Sequence, residues 1–430
     1  MLIKVFDYIQ CGEGVVDRIS ELPDEIIYII LSFLKVRAAA ATSLLSHRWL
    51  GLWKHTYHLR FNDTSRSCNI KTEHASWDAE TCKNVKLVNS VLKSHQSPFL
   101  NLFMIHFYIN KSAQSIVAKW LEFVWSRQVK SLDLDLCCVS ENNAVVLGDS
   151  LGEMKPMKYL QTLYFTNIKV SGEDIALFLK NCPILRKLDI TDSSLTSDAH
   201  VSGTALMLED LRISRCNIRE SVINIDSALN LSIVVVDAKP EQLWFNNVPR
   251  LALANLRIAS PRYRMQHFLS AVSCFTSQLQ KLLLYLTYPK KLLRKGFPQM
   301  PNLKVLIIRE SSAYEHGCLL PITSVISACP RLQRFSIVFL ENVKYATPGV
   351  ERCPHQQLNT ASFRGSCATN IIKSVTYFSD SCDAFQKTNT CAPLMSKAEV
   401  RAHMDHLKQL QVELSDQVLL EFFKFKKRIR

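Results

Sequence analysis

The sequence predicts an α+β chain in two parts: a small three-helix unit at the N-terminus, then an irregular α/β solenoid of short parallel strands with a C-terminal cap. Three observations carry that prediction. A dense apolar helix follows a proline-acid entry at Pro23. A Leu-x-x-Leu-x-apolar hexad recurs through the middle of the chain. And 430 residues exceed the length at which one hydrophobic core usually stops growing, so several domains or a repeat are expected.

The helical element comes first. Pro23 suits a first helical turn, and Asp24 and Glu25 place negative charge at the positive end of the helix dipole. Ile26, Ile27, Ile29, Ile30, Leu31, Phe33 and Leu34 follow, apolar nearly all round the helix instead of on one stripe. Short helices at about Ala38 to Leu45 and Arg48 to Trp53 can cover one side. Leaving three or four of these side chains in water, at ~1.5–3 kcal/mol each, would cost as much as a typical domain's stability margin. A partner protein or the following domain is therefore needed as cover.

Asp17-Arg-Ile-Ser-x-Leu-Pro-Asp-Glu-Ile26, Ile30-Leu-Ser-Phe-Leu34, Thr42-Ser43, Leu45-Ser46 and Arg48-Trp49 closely resemble the F-box of plant F-box proteins. Lys35, where the family often has Pro, and Leu50, where a polar or basic residue is common, depart from it. The resemblance places an F-box at residues 17–57. It implies docking on a Skp-family adaptor, and through it on cullin and RING subunits, by Leu22, Pro23, Ile26, Ile30, Leu31, Leu45 and Trp49.

The repeat is next. Clear copies are Leu160–Phe165, Leu185–Ile190 and Leu208–Ile213; a weaker one at Leu229–Val234 precedes Leu253–Ile258, Leu279–Leu284, Leu303–Ile308 and Leu332–Ile337. The first leucines are spaced by 25, 23, 21, 24, 26, 24 and 29 residues, the range of leucine-rich repeats. A looser copy, Val129–Leu134, opens the array. Alternation within each copy predicts a short strand, and the residues between copies leave room for a return helix or turn. Ile175, Leu177 and Phe178 before Asn181-Cys-Pro183 read as one return helix, and Val325-Ile326 before Cys329-Pro330 as another. Strands ~4.8 Å apart would stack into a parallel sheet on a concave face, a surface suited to holding a macromolecule. Only Cys216 falls on the Asn/Cys position that builds a side-chain ladder.

Between these regions, Asn62 to Asp78 is polar and reads as a loop. Val85–Leu92 and Ile116–Val124 read as amphipathic helices around a strand at Phe103–Phe107, with Trp120 and Trp125 as core. The solenoid is expected over residues 83–350. From 351 to 430, Cys353-Pro-His-Gln-Gln-Leu358, Phe363-Arg-Gly365 and Arg401–Leu410 resemble parts of the FBD segment that commonly ends plant F-box/LRR proteins, whereas Cys367–Pro393 matches it poorly. A basic tail, Lys424 to Arg430, follows.

Composition narrows the function classes. The chain is 47% apolar and 21% charged, enough to fold. Its 11 glycines disfavour propellers and phosphate loops, and no Gly-x-Gly-x-x-Gly or Gly-x-Ser-x-Gly motif is present. Cys137-Cys138 and Cys353-Pro-His355 lack zinc-ligand spacing, so neither metal nor cofactor is expected. Scattered thiols, and an acid inside the apolar start Met1 to Asp7, argue for a reducing compartment, nucleus or cytoplasm. No apolar window approaches the ~18 residues of a membrane span.

Outward strand positions follow from the period of two. They are Tyr164, Lys187, Asp189, Asp210, Arg212, Arg257, Lys281, Tyr285, Arg309 and Arg334. The excess of cations points to an acidic or phosphorylated target. The resulting expectation is a substrate-receptor subunit of an SCF-type ubiquitin ligase with no catalytic residue of its own. Two alternatives stay open: an LRR scaffold with a vestigial F-box, and a nucleic-acid-binding protein suggested only by the net charge of +14.

Overall fold

The computed structural model describes residues 19, 21–62, 74–137, 141–151, 154–258, 272–286, 297–310, 326–339, 360–365 and 388–391. They fall into two compact units, Met1–Leu160 and Gln161–Arg430.

In the first unit, α1 (Asp24–Ser32) and α2 (Val36–Ala41) are followed by single-turn 3-10 segments at Thr42–Leu44, His47–Trp49 and Leu52–His55. The chain then enters β1 (His58–Asn62), α3 (His74–Ser94), β2 (Leu102–Tyr108), α4 (Gln114–Ser126), β3 (Ser131–Cys137) and α5 (Gly148–Leu151). The strands pair in parallel, β1 with β2 and β2 with β3. Strict alternation buries Leu59 and Phe61, Phe103, Ile105 and Phe107, and Leu132, Leu134 and Leu136 on one face. Trp120 and Trp125 are core residues as the spacing predicts, and the Trp120 indole donates to Asn89 Oδ1 at 2.8 Å, tying α4 to α3. β1 is a strand that the sequence reading does not contain. Its five residues carry only two apolar side chains, too few to stand out from the helical segment before it.

The second unit is a ladder of parallel strands: β4 (Thr162–Thr166), β6 (Lys187–Thr191), β9 (Asp210–Ser214), β11 (Ile233–Val236), β13 (Leu253–Ile258), β14 (Lys281–Leu286), β15 (Val305–Glu310), β16 (Arg334–Phe339), β17 (Thr360–Gly365) and β18 (Thr388–Cys391). The strands of the early repeats bury one row each, among them Leu163 and Phe165, Leu188 and Ile190, and Leu211 and Ile213. The Phe363-Arg-Gly365 motif lies on β17; Cys353–Leu358, Arg401–Leu410 and the basic tail lie outside the described residues.

Two of the predicted copies are displaced by two residues. β11 buries Leu231, Val234 and Val236 while Leu229 is partly exposed, and β13 buries Leu251, Ala254 and Leu256 while Leu253 faces outward. The ladder enforces this, because Val234 sits opposite Leu211 and Ala254. A slip of two keeps Val234 and Leu256 on their predicted inward face but turns the predicted first leucines, Leu229 and Leu253, away from it.

The return segments are more varied than expected. α6 (Gly172–Asn181) is the predicted return helix, opened by a capping box between Ser171 and Asp174. Gly172 is required there, since a Cβ would stand 1.6 Å from the Asp198 carbonyl oxygen. Other returns are strands: β5 (Lys169–Val170) pairs with β7 (Ser194–Leu195), and β8 (Ala199–Ser202), β10 (Ile223–Asp226) and β12 (Leu243–Asn246) form a second parallel sheet. Ile223-Asn-Ile-Asp226 alternates with period two, which selects strand over helix.

Turns after the ladder strands are equally regular. Asn167, Asp192 and Arg215, each the residue after β4, β6 and β9, have φ of 60°, 48° and 53°. Asn and Asp tolerate the left-handed region; Arg does not favour it. Arg215 is held by a two-pronged bond to Asp192 at 2.7 and 2.8 Å and by its own N–H donating to Asp237 at 2.8 Å. Cys216 occupies its ladder position, with Sγ 3.4 Å from the Ile190 carbonyl. Ser193, one repeat earlier, fills the equivalent position and accepts from Ile168 N–H at 3.2 Å, a role that an Asn/Cys pattern does not reveal.

Candidate interaction surfaces

The first surface is on α1 and the turns that follow it. Ile27, Leu31, Ala39, Trp49 and Leu52 form a small buried cluster, with Leu22, Tyr28 and Trp53 packed on its margin. That cluster consumes only one stripe of α1. The opposite stripe, Ile26, Ile29, Ile30 and Phe33, at helical i, i+3, i+4, i+7 spacing, stands in solvent. Leu34, Leu44, Leu45 and Leu50 are exposed as well, Leu44 at 88%, Phe33 at 69% and Leu50 at 67%. Nine of the thirteen exposed large apolar side chains among the described residues lie between Ile19 and Leu50. Exposed apolar side chains concentrated in so short a segment mark an interaction site.

Among the residues expected to meet an adaptor, Ile26, Ile30 and Leu45 lie on this exposed face, Pro23 is exposed beside it, and Leu22 is partly buried at its edge. Leu31 and Trp49 do not lie on it. They are 1% and 6% exposed and belong to the cluster, because a unit this small needs its largest side chains inside. Ile29, Phe33, Leu34, Leu44 and Leu50 take their place on the surface. A helical wheel drawn with Ile27 and Leu31 inward would have identified the α1 members.

The face is rigidly seated. Arg48 donates to the Leu22 carbonyl and, at 3.1 Å, to Asp24 Oδ1, fixing the entry to α1. At the other end Ser32 Oγ accepts from Tyr57 N–H at 2.9 Å, and the Ser32 carbonyl meets His58 Nδ1 and accepts from Arg60, both at 3.0 Å. Burial, and then the Arg60 charge, hold the His58 pKa below its ordinary value. A neutral ring with the proton on Nδ1 satisfies the Ser32 carbonyl.

The second surface is the outward face of the second unit's ladder. Tyr164, Lys187, Asp189, Asp210, Arg212, Lys281 and Tyr285 are partly exposed there, Arg309 and Arg334 are exposed, and Arg257 pairs with Tyr285 in the strand register. Its first three strands form a self-neutralised network. Lys187 lies 3.5 Å from Asp189, 3.9 Å from Asp210 and 4.7 Å from the Tyr164 ring centroid. Arg212 forks onto Asp210 at 2.9 and 3.1 Å, and Thr191 donates to Asp189 at 2.7 Å. The Asp210 hydrogen bond raises the Arg212 pKa further. Lys187 and Arg212 are therefore spoken for, each by an acid two residues away on its own strand, and the neighbouring strand adds Asp210 to Lys187, a contact the sequence could not reveal. Later in the ladder Arg309 lies over Tyr285, 6.0 Å from its centroid.

No group of His, Cys, Asp or Glu among the described residues is arranged to hold a metal ion. Burial pushes the thiols of Cys182, Cys216 and Cys329 up to about 12, far from thiolate chemistry. No helix among the described residues is long and apolar enough to cross a membrane.

Residues 19–61 match the F-box domain family, and residues 145–350 match the family described as At1g61320/AtMIF1, LRR domain. The chain carries an F-box ahead of leucine-rich repeats. Its relatives are F-box/FBD/LRR-repeat proteins of Arabidopsis thaliana. The FBD-associated F-box protein At3g52670 is 29% identical over 191 residues, covering 40% of this chain and 42% of that protein. The F-box/FBD/LRR-repeat protein At4g00160 is 30% identical over 40% of each chain, and the FBD-associated F-box protein At4g10400 is 22% identical over 74% of this chain and 85% of its own length. The chain thus spans less than half the length of the first of these relatives. F-box and LRR domains are interaction modules, and families built from them are generally non-enzymatic adaptors. The exposed apolar stripe of α1 lies within the F-box and the paired Lys187–Asp210–Arg212 network within the LRR domain.

Proposed function

We propose that this F-box/LRR protein is a substrate receptor of an SCF-type cullin-RING ubiquitin ligase, acting in the nucleus or cytoplasm. The apolar face of Ile26, Ile29, Ile30, Phe33, Leu44, Leu45 and Leu50 would dock on a Skp-family adaptor, while the repeats hold a target. The observation that carries this reading is that face: the F-box's own cluster forms without those side chains, and they remain between 39% and 88% exposed. Burying four of them against a partner, at ~1.5–3 kcal/mol each, is enough to hold a stable complex. In this reading the chain supplies no catalytic group. It supplies proximity, bringing a target lysine to ubiquitin activated elsewhere in the assembly.

The test is co-purification of the full chain with a Skp-family adaptor, beside an Ile30→Asp/Phe33→Asp variant. Both positions are exposed, so the variant keeps the F-box cluster intact. Capture by the parent and loss in the variant is the expected result. Failure of the folded parent to bind would leave a repeat scaffold with a vestigial F-box.

A further inference from the structure

The strands that follow the self-neutralised network differ from it. A parallel sheet is ordinarily covered on both faces. Here β11, β13, β14 and β15 present Ile233, Val235, Leu253, Leu283, Val305 and Ile307 on the outward face, all partly exposed. The register sets Ile233 opposite Leu253 and Leu283 opposite Ile307, with Asn255 between Val235 and Leu283 and Lys281 between Leu253 and Val305. At the equivalent positions β4, β6 and β9 carry Thr162, Lys187 and Asp210, then Tyr164, Asp189 and Arg212. The polar half satisfies itself and the aliphatic half does not.

Charge separates the halves in the same way. Lys187 and Arg212 are neutralised by Asp189 and Asp210. Lys281 sits within the patch, between Leu253 and Val305 in the register, Arg309 and Arg334 border it, and among the described residues no ion pair engages the three. In the sequence, residues 259–271 and 287–296, which follow β13 and β14, contain Arg262, Arg264, Lys290, Lys291, Arg294 and Lys295 and no Asp or Glu. An aliphatic surface beside cations that no described residue neutralises complements a segment that carries aliphatic side chains and carboxylates together.

We propose that the outward aliphatic patch of β11, β13, β14 and β15 docks an acidic peptide segment of a partner protein through its Leu, Ile or Val side chains. Lys281, Arg309 and Arg334 engage the segment's carboxylates, and the Lys187–Asp210–Arg212 network stays outside the contact. This deepens the receptor reading by placing target capture on one half of the repeat face, and it rests on that reading only for the fate of the bound segment.

A displayed library of random short peptides panned against the full chain tests it, with the enriched peptides then synthesised and titrated. Enrichment of sequences in which Asp or Glu accompanies Leu, Ile or Val is expected. Ile307→Glu and, separately, Arg309→Glu should each weaken a selected peptide by about tenfold, with Lys187→Ala/Arg212→Ala nearly without effect. Ile307 and Arg309 both lie on the open face, so two variants of different chemistry guard against a folding artefact. No enrichment above an unrelated control protein, enrichment of neutral or basic peptides, or sensitivity only to the Lys187/Arg212 variant would overturn the proposal. Self-association of the chain that Ile307→Glu abolishes would also overturn it, making a second copy the occupant. Adaptor co-purification is read separately on the same samples, so loss of adaptor binding with intact peptide capture sinks the ligase reading alone.

Discussion

The apolar helix α1 and the first three strands of the LRR ladder solve the same problem with opposite results. Each strand places its apolar side chains inward by strict alternation, and the polar side chains left outside pair with one another. The helix carries apolar side chains on two stripes but meets a core on only one, so a whole stripe stays in water. Periodicity explains the difference. A period of two assigns every residue of a strand to one of two faces, whereas a short helix with apolar residues all round exceeds what a small cluster can cover. Surplus apolar surface marks where a partner is needed, and an internally neutralised charge network marks where it is not.

The comparison breaks first if the F-box cluster is not a core. Trp49→Ala should cost about 3–5 kcal/mol, unfolding residues 24–55 and abolishing adaptor capture indirectly. Hydrogen exchange over that segment would distinguish this from Ile30→Asp, which should leave exchange protection unchanged. If Trp49→Ala remains protected while losing the adaptor, Trp49 is a contact residue after all.

The inward and outward positions of the ladder sharpen it next. Leu188→Ala should destabilise the repeats by about 2–5 kcal/mol in a thermal melt, against roughly 0–1 kcal/mol for the adjacent Lys187→Ala. Comparable losses at the two sites would show that the face network contributes more than its partly exposed ion pairs should. Gly172→Ala, whose methyl would collide with the Asp198 carbonyl, is expected to cost about 1–3 kcal/mol, and an unchanged melting temperature would mean that α6 moves freely away from β8.

The smallest effect concerns pH in the first unit. His95 is buried, meets the Thr56 carbonyl at 3.0 Å, and has its pKa lowered by burial, partly offset by that bond. An unfolded chain therefore binds a proton at His95 that the folded one resists. Stability is full above the ordinary histidine pKa of ~6.5 and declines as pH falls below it, by no more than about 1.4 kcal/mol per pH unit for one group. A melt series from neutral to mildly acid pH should show this decline, and His95→Gln should make it shallower, leaving the share of His58, whose pKa is lowered as well; an identical slope in the variant would assign the decline to other groups.

Much of this architecture can be read from residue order. The Leu-Pro-Asp-Glu entry, the hexads at Leu160, Leu185 and Leu208 and the return helix before Cys182 all fall where the pattern puts them. The run Leu251-Ala-Leu-Ala-Asn-Leu-Arg-Ile258 admits two registers, because Leu251 and Leu253 are equally plausible first leucines. Only pairing with β11 and β14 selects the first. Likewise, Lys187 gains Asp210 of the neighbouring strand, a partner 23 residues on that no local pattern identifies.

The sequence by itself determined the alternation of most ladder strands, such as those of the hexads at Leu160, Leu185 and Leu208, and the apolar excess of α1, since both depend on local periodicity. Only the tertiary structure decided which stripe of α1 is covered, which leucine starts a repeat, and which charges are already neutralised. Several of those outcomes depend on residues brought together from elsewhere in the chain, such as Asp210 beside Lys187, and no local pattern encodes them.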